Sequence, residues 1–246
     1  MTRPPGPVWL DLTRSLSRAG RPVGTGIDRV ERAYLDHVLA AGDARTRFLV
    51  RSTRGVLFFG PEGARALRLC LDDLAALPKA DLMSRLAGRG GRPRHRAEAL
   101  LRRHAIDRAP AWGIGRLIAR HARPGVIFLT VGHSNLTGRL LGPLRKAGVR
   151  VVAMVHDLIP LTHPDTVPPD MPARFATRIE TLRRHADLVL CNSASTAEDL
   201  GRHWQGETPQ PDRVVVPLGL DPVGRPDVEK DPAAFVMLGT IEPRKN

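Results

Sequence analysis

The stretch Val151–Pro164, VVAMVHDLIPLTHP, decides the fold class. Its first five residues are all apolar, which predicts a strand that is buried on both faces of a parallel sheet. The apolar run ends at His156 and Asp157, and the prolines that follow cannot donate hydrogen bonds to a sheet. A histidine and a carboxylate therefore follow the carboxyl end of a buried strand, which is where ligands bind in open α/β sheets.

The residues alone leave the role of His156 open. Histidine changes charge near neutral pH more readily than other side chains, which favours a role in catalysis or binding. The structural alternative is a strand-end histidine that bonds to a loop carbonyl. A metal site formed by His156, Asp157, His163 and Asp165 is a third interpretation, but this spacing matches no zinc pattern. We predict His156 and Asp157 as catalytic candidates and no metal site.

The rest of the chain alternates between strand-length apolar runs and helical patterns. This alternation predicts an α/β fold, in which a Rossmann-like parallel sheet carries helices on both faces. The predicted strands are 8–12, 47–51, 55–60, 126–131, 149–155, 187–191 and 213–217, and the second and third form a hairpin. The predicted helices are 27–40, 61–77, 98–106, 112–121, 136–147, 173–185 and 195–204.

Three segments carry expectations about loops and helix ends. Residues 13–23 are polar and rich in arginine, and they are predicted to form a loop. Residues 88–96, GRGGRPRHR, predict a mobile basic loop. Residues 195–198 match the capping-box pattern, in which a serine and a glutamate satisfy each other's backbone amides at a helix N-terminus.

A short glycine loop, Gly24-Thr25-Gly26, leads into the helix predicted from residue 27. The unpaired amides and the dipole at a helix N-terminus favour an anion, so this loop is a candidate phosphate site. The dinucleotide fingerprint requires a third glycine where Arg29 stands. A plain tight turn is the alternative.

The net charge of +13 raises the question of an anionic partner. Only four of the 38 basic residues are lysine, and the arginines are spread along the chain. Aromatic residues make up 4% of the chain, which leaves few surfaces for stacking on bases. We therefore regard nucleic acid as an unlikely partner. Anionic membrane lipid and a phosphorylated acceptor are the alternatives that the charge favours, beside a solvated surface without a partner.

The cellular compartment is predicted from two sequence features, a secretory signal and membrane-spanning apolar runs. The first residues hold too short an apolar segment for a secretory signal, and no apolar run approaches the roughly 18 residues that span a bilayer. We expect a cytoplasmic protein, with peripheral contact at the inner face of the membrane as the further option. Cys70 and Cys191 form no metal or redox motif and are predicted to be buried free thiols.

Composition also predicts the domain organisation. Residues 1–221 form the first domain, and residues 222–232 have the proline, glycine and charge content of a linker. Residues 233–246 begin a new buried strand and the loop after it, and a lone strand cannot bury itself. We expect a complete first domain followed by the start of a truncated second domain.

Several segments together resemble the retaining GT-B glycosyltransferases of the GT4 family, and in particular its mannosyltransferases. The similar segments are TGIDRVE (25–31), HDLIPLTHP (156–164), DLVLCNSASTAEDL (187–200), VVVPLGLD (214–221) and FVMLGTIEPRKN (235–246). The resemblance implies the N-terminal, acceptor-side half of a GT-B fold, in which two Rossmann-like domains face each other across a cleft.

The resemblance also implies roles for particular residues. Gly24, Thr25 and Gly26 resemble the loop whose amides approach the donor diphosphate, and Arg244 and Lys245 match the basic groups placed against it. His156 resembles the histidine beside the transferred sugar. Stabilisation of the leaving nucleoside diphosphate is the implied chemistry, with a nucleotide sugar as donor substrate and no metal cofactor.

The implied reaction is retaining transfer of a hexose, such as mannose, from a nucleotide sugar to a lipid-linked glycan or polysaccharide acceptor. We expect the truncated chain to be a fragment of a longer enzyme and inactive by itself. The alternative is a non-catalytic module that binds an acceptor or a membrane, alone or with a separate donor domain. Saturable binding of a nucleotide sugar that His156→Ala or Lys245→Ala abolishes would favour the enzyme.

Overall fold

A computed structural model describes residues 6–21, 24–79, 81, 92–219 and 233. Within these ranges, the strands form one eight-stranded sheet in the order β4-β3-β2-β1-β5-β6-β7-β8. The strands are β1 Val8–Asp11, β2 Arg47–Ser52, β3 Gly55–Phe59, β4 Ala105–Ala109, β5 Ile127–Thr130, β6 Arg150–Val155, β7 Leu188–Cys191 and β8 Asp212–Val215.

The sheet is mostly parallel. Strand β1 lies in its middle and pairs in parallel with both β2 and β5, and the parallel arrangement continues through β6 and β7 to β8. Strands β2, β3 and β4 pair in antiparallel fashion, which confirms the predicted hairpin of β2 and β3. The predicted α/β class is correct, with two antiparallel pairings at one edge of the sheet.

Helices cover both faces of the sheet, as the sequence predicts. The α-helices are α1 Thr13–Arg18, α2 Gly26–Ala40, α3 Pro61–Asp72, α4 Pro93–Arg103, α5 Ile114–His121, α6 Gly138–Lys146, α7 Ile159–Thr162, α8 Met171–His185 and α9 Ala194–His203. One buried apolar cluster contains residues of α1 to α4, and a second contains residues of α5, α6, α8 and α9. Successive strand residues enter opposite clusters, because their side chains alternate between the two faces. Leu10 and Trp9 illustrate this.

The prediction of a loop over residues 13–23 is wrong for its first half, because Thr13–Arg18 forms helix α1. Leu12 and Leu16 are fully buried one helical turn apart and anchor the helix to the core. Thr13 and Ser15 between them are also buried, and Ser15 donates from its amide to the carboxyl group of Glu31, 16 residues away. Local sequence patterns do not show such long-range partners, so the segment has the composition of a loop.

The region before β5 also differs from its prediction. Helix α4 begins at Pro93, so the last part of the predicted loop 88–96 is helical, and residues 88–91 lie outside the described ranges. The helix ends at Arg103, and Ala105–Ala109 forms the edge strand β4 instead of continuing it. An edge strand with one exposed face lacks a continuous apolar run. Ile106, for example, points its side chain into solvent.

Helix α9 starts two residues earlier than the predicted capping box requires. Its N-cap is Ser193, whose side chain accepts a hydrogen bond from the Thr196 amide at 3.1 Å. Ser195 lies inside the first turn and is exposed. The prediction that Ser195 and Glu198 cap this helix is therefore wrong, because Ser193 takes the extended backbone conformation that an N-cap requires.

The remaining sequence predictions divide into those tested and those outside the described residues. Cys70 and Cys191 are buried and free, as predicted. The linker 222–232 lies outside the described ranges, as does the final segment 233–246 apart from residue 233.

In the described ranges, we find that every helix is too short or too polar to cross a lipid bilayer.

Candidate functional site

Polar side chains gather where the central parallel strands end. Asp11 is the last residue of β1, His133 lies in the loop after β5, and His156 directly follows β6. These three strands are neighbours in the sheet and run in the same direction, so their carboxyl ends meet at one edge. This edge is the ligand-binding side of open α/β sheets.

His156 is held rigidly at this edge. Its side chain is 7% exposed, and its Nε2 atom lies 2.8 Å from the carbonyl oxygen of Val131. A carbonyl only accepts hydrogen bonds, so Nε2 carries the proton and Nδ1 is the acceptor nitrogen of the neutral ring. Burial lowers the pKa of His156, which keeps the ring neutral at physiological pH. The backbone carbonyl of His156 accepts a bond from the Thr196 hydroxyl.

His133 packs against His156 and was missed in the sequence. Its ring centroid lies 5.0 Å from that of His156 in an edge-to-face arrangement, and its Nε2 atom accepts a bond from the His156 amide at 3.4 Å. Burial lowers its pKa to about 3, and repulsion from His156, if that ring were protonated, acts in the same direction. His133 adopts a left-handed backbone conformation, with φ of 58°. The rule that selected His156, a polar residue after a buried strand, also selects His133.

Asp157 has a structural partner. Its Oδ1 atom accepts a hydrogen bond from the Ile159 amide at 3.1 Å, which stabilises the turn into α7. Its role as a catalytic group stays a prediction.

Two buried carboxyl groups stand beside the histidines, and neither was identified from the sequence. Asp11 is 2% exposed and Glu31 is 1% exposed. Burial raises the pKa of both groups, and that of Glu31 reaches about 8, with the charge of Asp11 adding to the shift. Glu31 Oε1 accepts bonds from the backbone amide and the hydroxyl of Ser15, at 2.7 and 2.5 Å. At neutral pH Glu31 is therefore mostly a neutral acid.

The glycine loop already contains an anion of its own. The amide and the hydroxyl of Thr25 both donate to Asp28 Oδ2, at 2.7 and 2.9 Å. Arg14 and Arg18 form ion pairs with the same carboxylate, at 2.6 and 3.2 Å. Partial burial opposes ionisation of Asp28, but the Thr25 amide bond and the Arg14 charge lower its pKa. A bound diphosphate would therefore share this helix N-terminus with Asp28.

Arg14 connects the glycine loop with the histidine site. Besides its ion pair with Asp28, its charge contributes to lowering the pKa values of His133, His156 and Glu31. Gly24 and Gly26 are exposed at the mouth of this region. The predicted roles of Gly24, Thr25 and Gly26 in diphosphate binding stay predictions.

Other predicted site residues lie elsewhere or outside the described residues. Arg244 and Lys245 belong to the terminal segment that the structure does not describe. His163 and Asp165 are exposed in the segment after α7. Across the described part of the chain, no three His, Cys, Asp or Glu side chains are grouped so that they could hold a metal ion.

Comparison with known proteins gives one family. The model of the family described as Glycosyltransferase Family 4 matches residues 56–223. These residues include β6, His156 and the loop that carries His133.

Three curated relatives have the same description, serotype-specific mannosyltransferase WbdA from Escherichia coli. Two are 33% identical to this chain and one is 32% identical, each in an alignment 121 residues long that covers 42% of this chain. The matched stretch spans only 14–15% of the relatives' own length. No solved structure gives a significant match.

Proposed function

The chain belongs to glycosyltransferase family 4, and on that premise we propose that it takes part in transferring mannose from a nucleotide sugar to a glycan acceptor. The observation that carries this proposal is the buried, neutral His156, fixed by Val131 at the carboxyl end of β6 and inside the segment that matches the family. The likeness to mannosyltransferases supports mannose as the transferred sugar.

His156 serves in this proposal as a hydrogen-bonding group for the transferred sugar. With Nε2 donating to the Val131 carbonyl, Nδ1 accepts a bond from a sugar hydroxyl. A neutral ring suits this role, because a protonated imidazole has no acceptor nitrogen. The ring is held by the backbone and by His133, so the sugar would meet a group that does not need to reorganise.

Departure of the nucleoside diphosphate is the step that needs electrostatic help. Negative charge develops on the leaving diphosphate, and fixed amides and cations stabilise it. We assign this role to Gly24, Thr25 and Gly26, together with Arg244 and Lys245. The product keeps the anomeric configuration of the donor in this proposal.

The acceptor in this proposal is a lipid-linked glycan or a polysaccharide at the inner face of the membrane. The net charge of +13 supports contact with an anionic surface, since basic segments are attracted to anionic lipid. Neither a metal nor another cofactor enters the proposed reaction.

The test is transfer of labelled mannose from GDP-mannose to a mannose-terminated oligosaccharide on a lipid-like tail. It uses the protein expressed from its complete gene. We expect His156→Ala to reduce transfer about 100-fold, because the sugar loses its positioning group. His203→Ala is the matched control, since His203 is exposed on α9 and should leave transfer unchanged.

Two outcomes would contradict parts of the proposal. Acceptor binding without any transfer would favour the non-catalytic binding module. A product with inverted anomeric configuration, detected by NMR, would overturn retention.

A further inference from the structure

A cavity lies next to the histidine site. It has a volume of about 370 Å³ and is bounded by the loop after β5, the start of α6 and one side of α8. Three arginines line it, namely Arg51, Arg174 and Arg178. No carboxylate is present among the described residues that line this cavity.

The positive charge in this cavity is poorly compensated. Partial burial and the charges of Arg174 and Arg51 lower the pKa of Arg178. Within the described ranges, the Arg178 side chain has no carboxylate partner. Arg51 donates to the Ser134 carbonyl at 3.2 Å. Arg174 alone has an acidic partner, the exposed Asp170 at 2.9 Å.

Two other arginines show full charge compensation, with two carboxylates each. Arg68 pairs with Asp36 and Asp72, and Arg183 pairs with Glu180 and Glu207. Three guanidinium groups facing one cavity repel each other, and the arrangement costs stability unless an anion joins them. A guanidinium group matches the oxygens of a phosphate group with two parallel hydrogen bonds.

The cavity adjoins the proposed reaction centre. The charge of Arg178 contributes to lowering the pKa of His133. Phe175, one helical turn before Arg178, lies edge-to-face with the His133 ring at 6.1 Å. Ser134 follows His133 directly and lines the cavity. The hydroxyls of Thr177 and Thr181 donate to their own helix and that of Ser134 donates to the Gly132 carbonyl, so the three arginines are the charged donors available to a ligand, beside the Thr137 hydroxyl.

We propose that Arg51, Arg174 and Arg178 bind a phosphate group of a substrate in this cavity. The assignment to a substrate rests on the proposed function, whereas the binding of phosphate does not. Two substrates can supply the group, namely a lipid-linked acceptor with its phosphate and the nucleotide sugar with its diphosphate.

Calorimetric titration of the full 246-residue chain with sodium phosphate tests the binding. We expect saturable binding that Arg178→Gln weakens by about tenfold, because one charged donor pair is lost. Arg51→Gln should weaken it similarly, and since Arg51 is exposed on β2 this variant tests the site without disturbing the core. Arg150→Gln is the matched control, because Arg150 is exposed at the amino end of β6 and its replacement removes the same charge.

Equal weakening by Arg150→Gln would mean that phosphate follows the net charge, and it would overturn the proposed site. The absence of saturable binding would do the same. Neither result depends on catalysis, so the proposed function is judged separately by its own transfer assay.

Competition then identifies the source of the phosphate group. The site is assigned to a lipid-linked acceptor if farnesyl phosphate displaces inorganic phosphate and if Arg178→Gln loses the binding of farnesyl phosphate. Displacement by GDP-mannose, with the same dependence on Arg178, assigns it to the donor. Displacement by neither compound would overturn the assignment to a substrate.

Discussion

The backbone of Gly132 lies directly against the buried carboxyl group of Glu31, so that a Cβ atom on Gly132 would stand 2.1 Å from Glu31 Oε2. The same Cβ would lie 2.8 Å from the Cβ of Arg14. Gly132 begins the loop that carries His133, and Glu31 belongs to α2. The contact therefore fixes the distance between α2 and the histidine loop.

We expect Gly132→Ala to destabilise the protein by about 1–3 kcal/mol, because the added methyl group overpacks a closed contact. Urea unfolding followed by circular dichroism measures this change. Gly142→Ala is the control, since its nearest neighbour would be 3.7 Å away and alanine favours the helix that contains it. A Gly132→Ala variant as stable as the wild type would show that the loop moves freely away from Glu31.

Stability should depend on pH through Glu31. Its pKa is about 8 in the folded protein and near its ordinary 4.5 in the unfolded chain. The folded state therefore holds a proton that the unfolded state releases, so this contribution is complete below the unfolded pKa and is lost as pH rises to the folded pKa. Between about pH 6.5 and about pH 8, the titration of Glu31 should lower the free energy of unfolding by about 2 kcal/mol.

Glu31→Gln keeps the acceptor oxygen for Ser15 and removes the titration. We expect the free energy of unfolding of this variant to fall less steeply than that of the wild type as the pH rises from 4.5 to about 8. Urea titrations at several pH values, with both proteins in the same buffers, provide the comparison. Parallel curves for the two proteins would contradict a raised pKa for Glu31.

The two site histidines should resist protonation in the folded protein. Burial lowers the pKa of His156, and the pKa of His133 falls to about 3, whereas both have the ordinary value of 6.5 when unfolded. Stability from these groups is therefore present above pH 6.5 and is lost progressively as the pH falls from that value to the folded pKa, which is about 3 for His133. NMR titration of the imidazole protons should place both midpoints below those of the urea-unfolded chain. Midpoints that coincide in the two states would exclude a desolvated pair.

The start of α9 provides a test within a single turn. We expect Ser193→Ala to destabilise the protein by about 1 kcal/mol, because the Thr196 amide loses its acceptor. Ser195→Ala is the matched control and should be close to neutral, since Ser195 is exposed inside the helix. Thermal unfolding of the two variants in one buffer measures the difference. A larger loss for Ser195→Ala would restore the capping box that the sequence pattern suggested.

The sequence predicts the parallel half of the sheet well, because its strands are continuous apolar runs between clear breakers. The run 151–155 and the polar pair after it show both the strand and the position of His156. The errors fall where stability comes from distant partners. Ser15 is buried in a helix because Glu31 accepts its bonds, and these residues are 16 positions apart. The residues around Ser15 in the sequence do not predict such a bond.

The charged part of the site was hidden for a similar reason. Arg51 and Arg178 are unremarkable members of a chain with 38 basic residues, and only the fold brings them to one cavity. Glu31 stands in a helical segment with charged neighbours on both sides, where an exposed position is the ordinary expectation. The strand rule could have found His133, since the residue follows the apolar run 126–131 as His156 follows its own run.

The central place of β1 bears on how the chain acquires its structure. Strand β1, which precedes β2 to β8 in the chain, pairs with residues 47–49 on one side and with residues 127–129 on the other. A nascent chain that stops before β5 therefore leaves one edge of β1 unpaired, and Trp9 lacks the later members of its buried cluster, such as Phe128. Pairings between such distant residues slow folding, because a long loop must close before the contact stabilises it. We expect β1 to be among the last strands to gain protection from hydrogen exchange during refolding, although it is synthesised before β2 to β8.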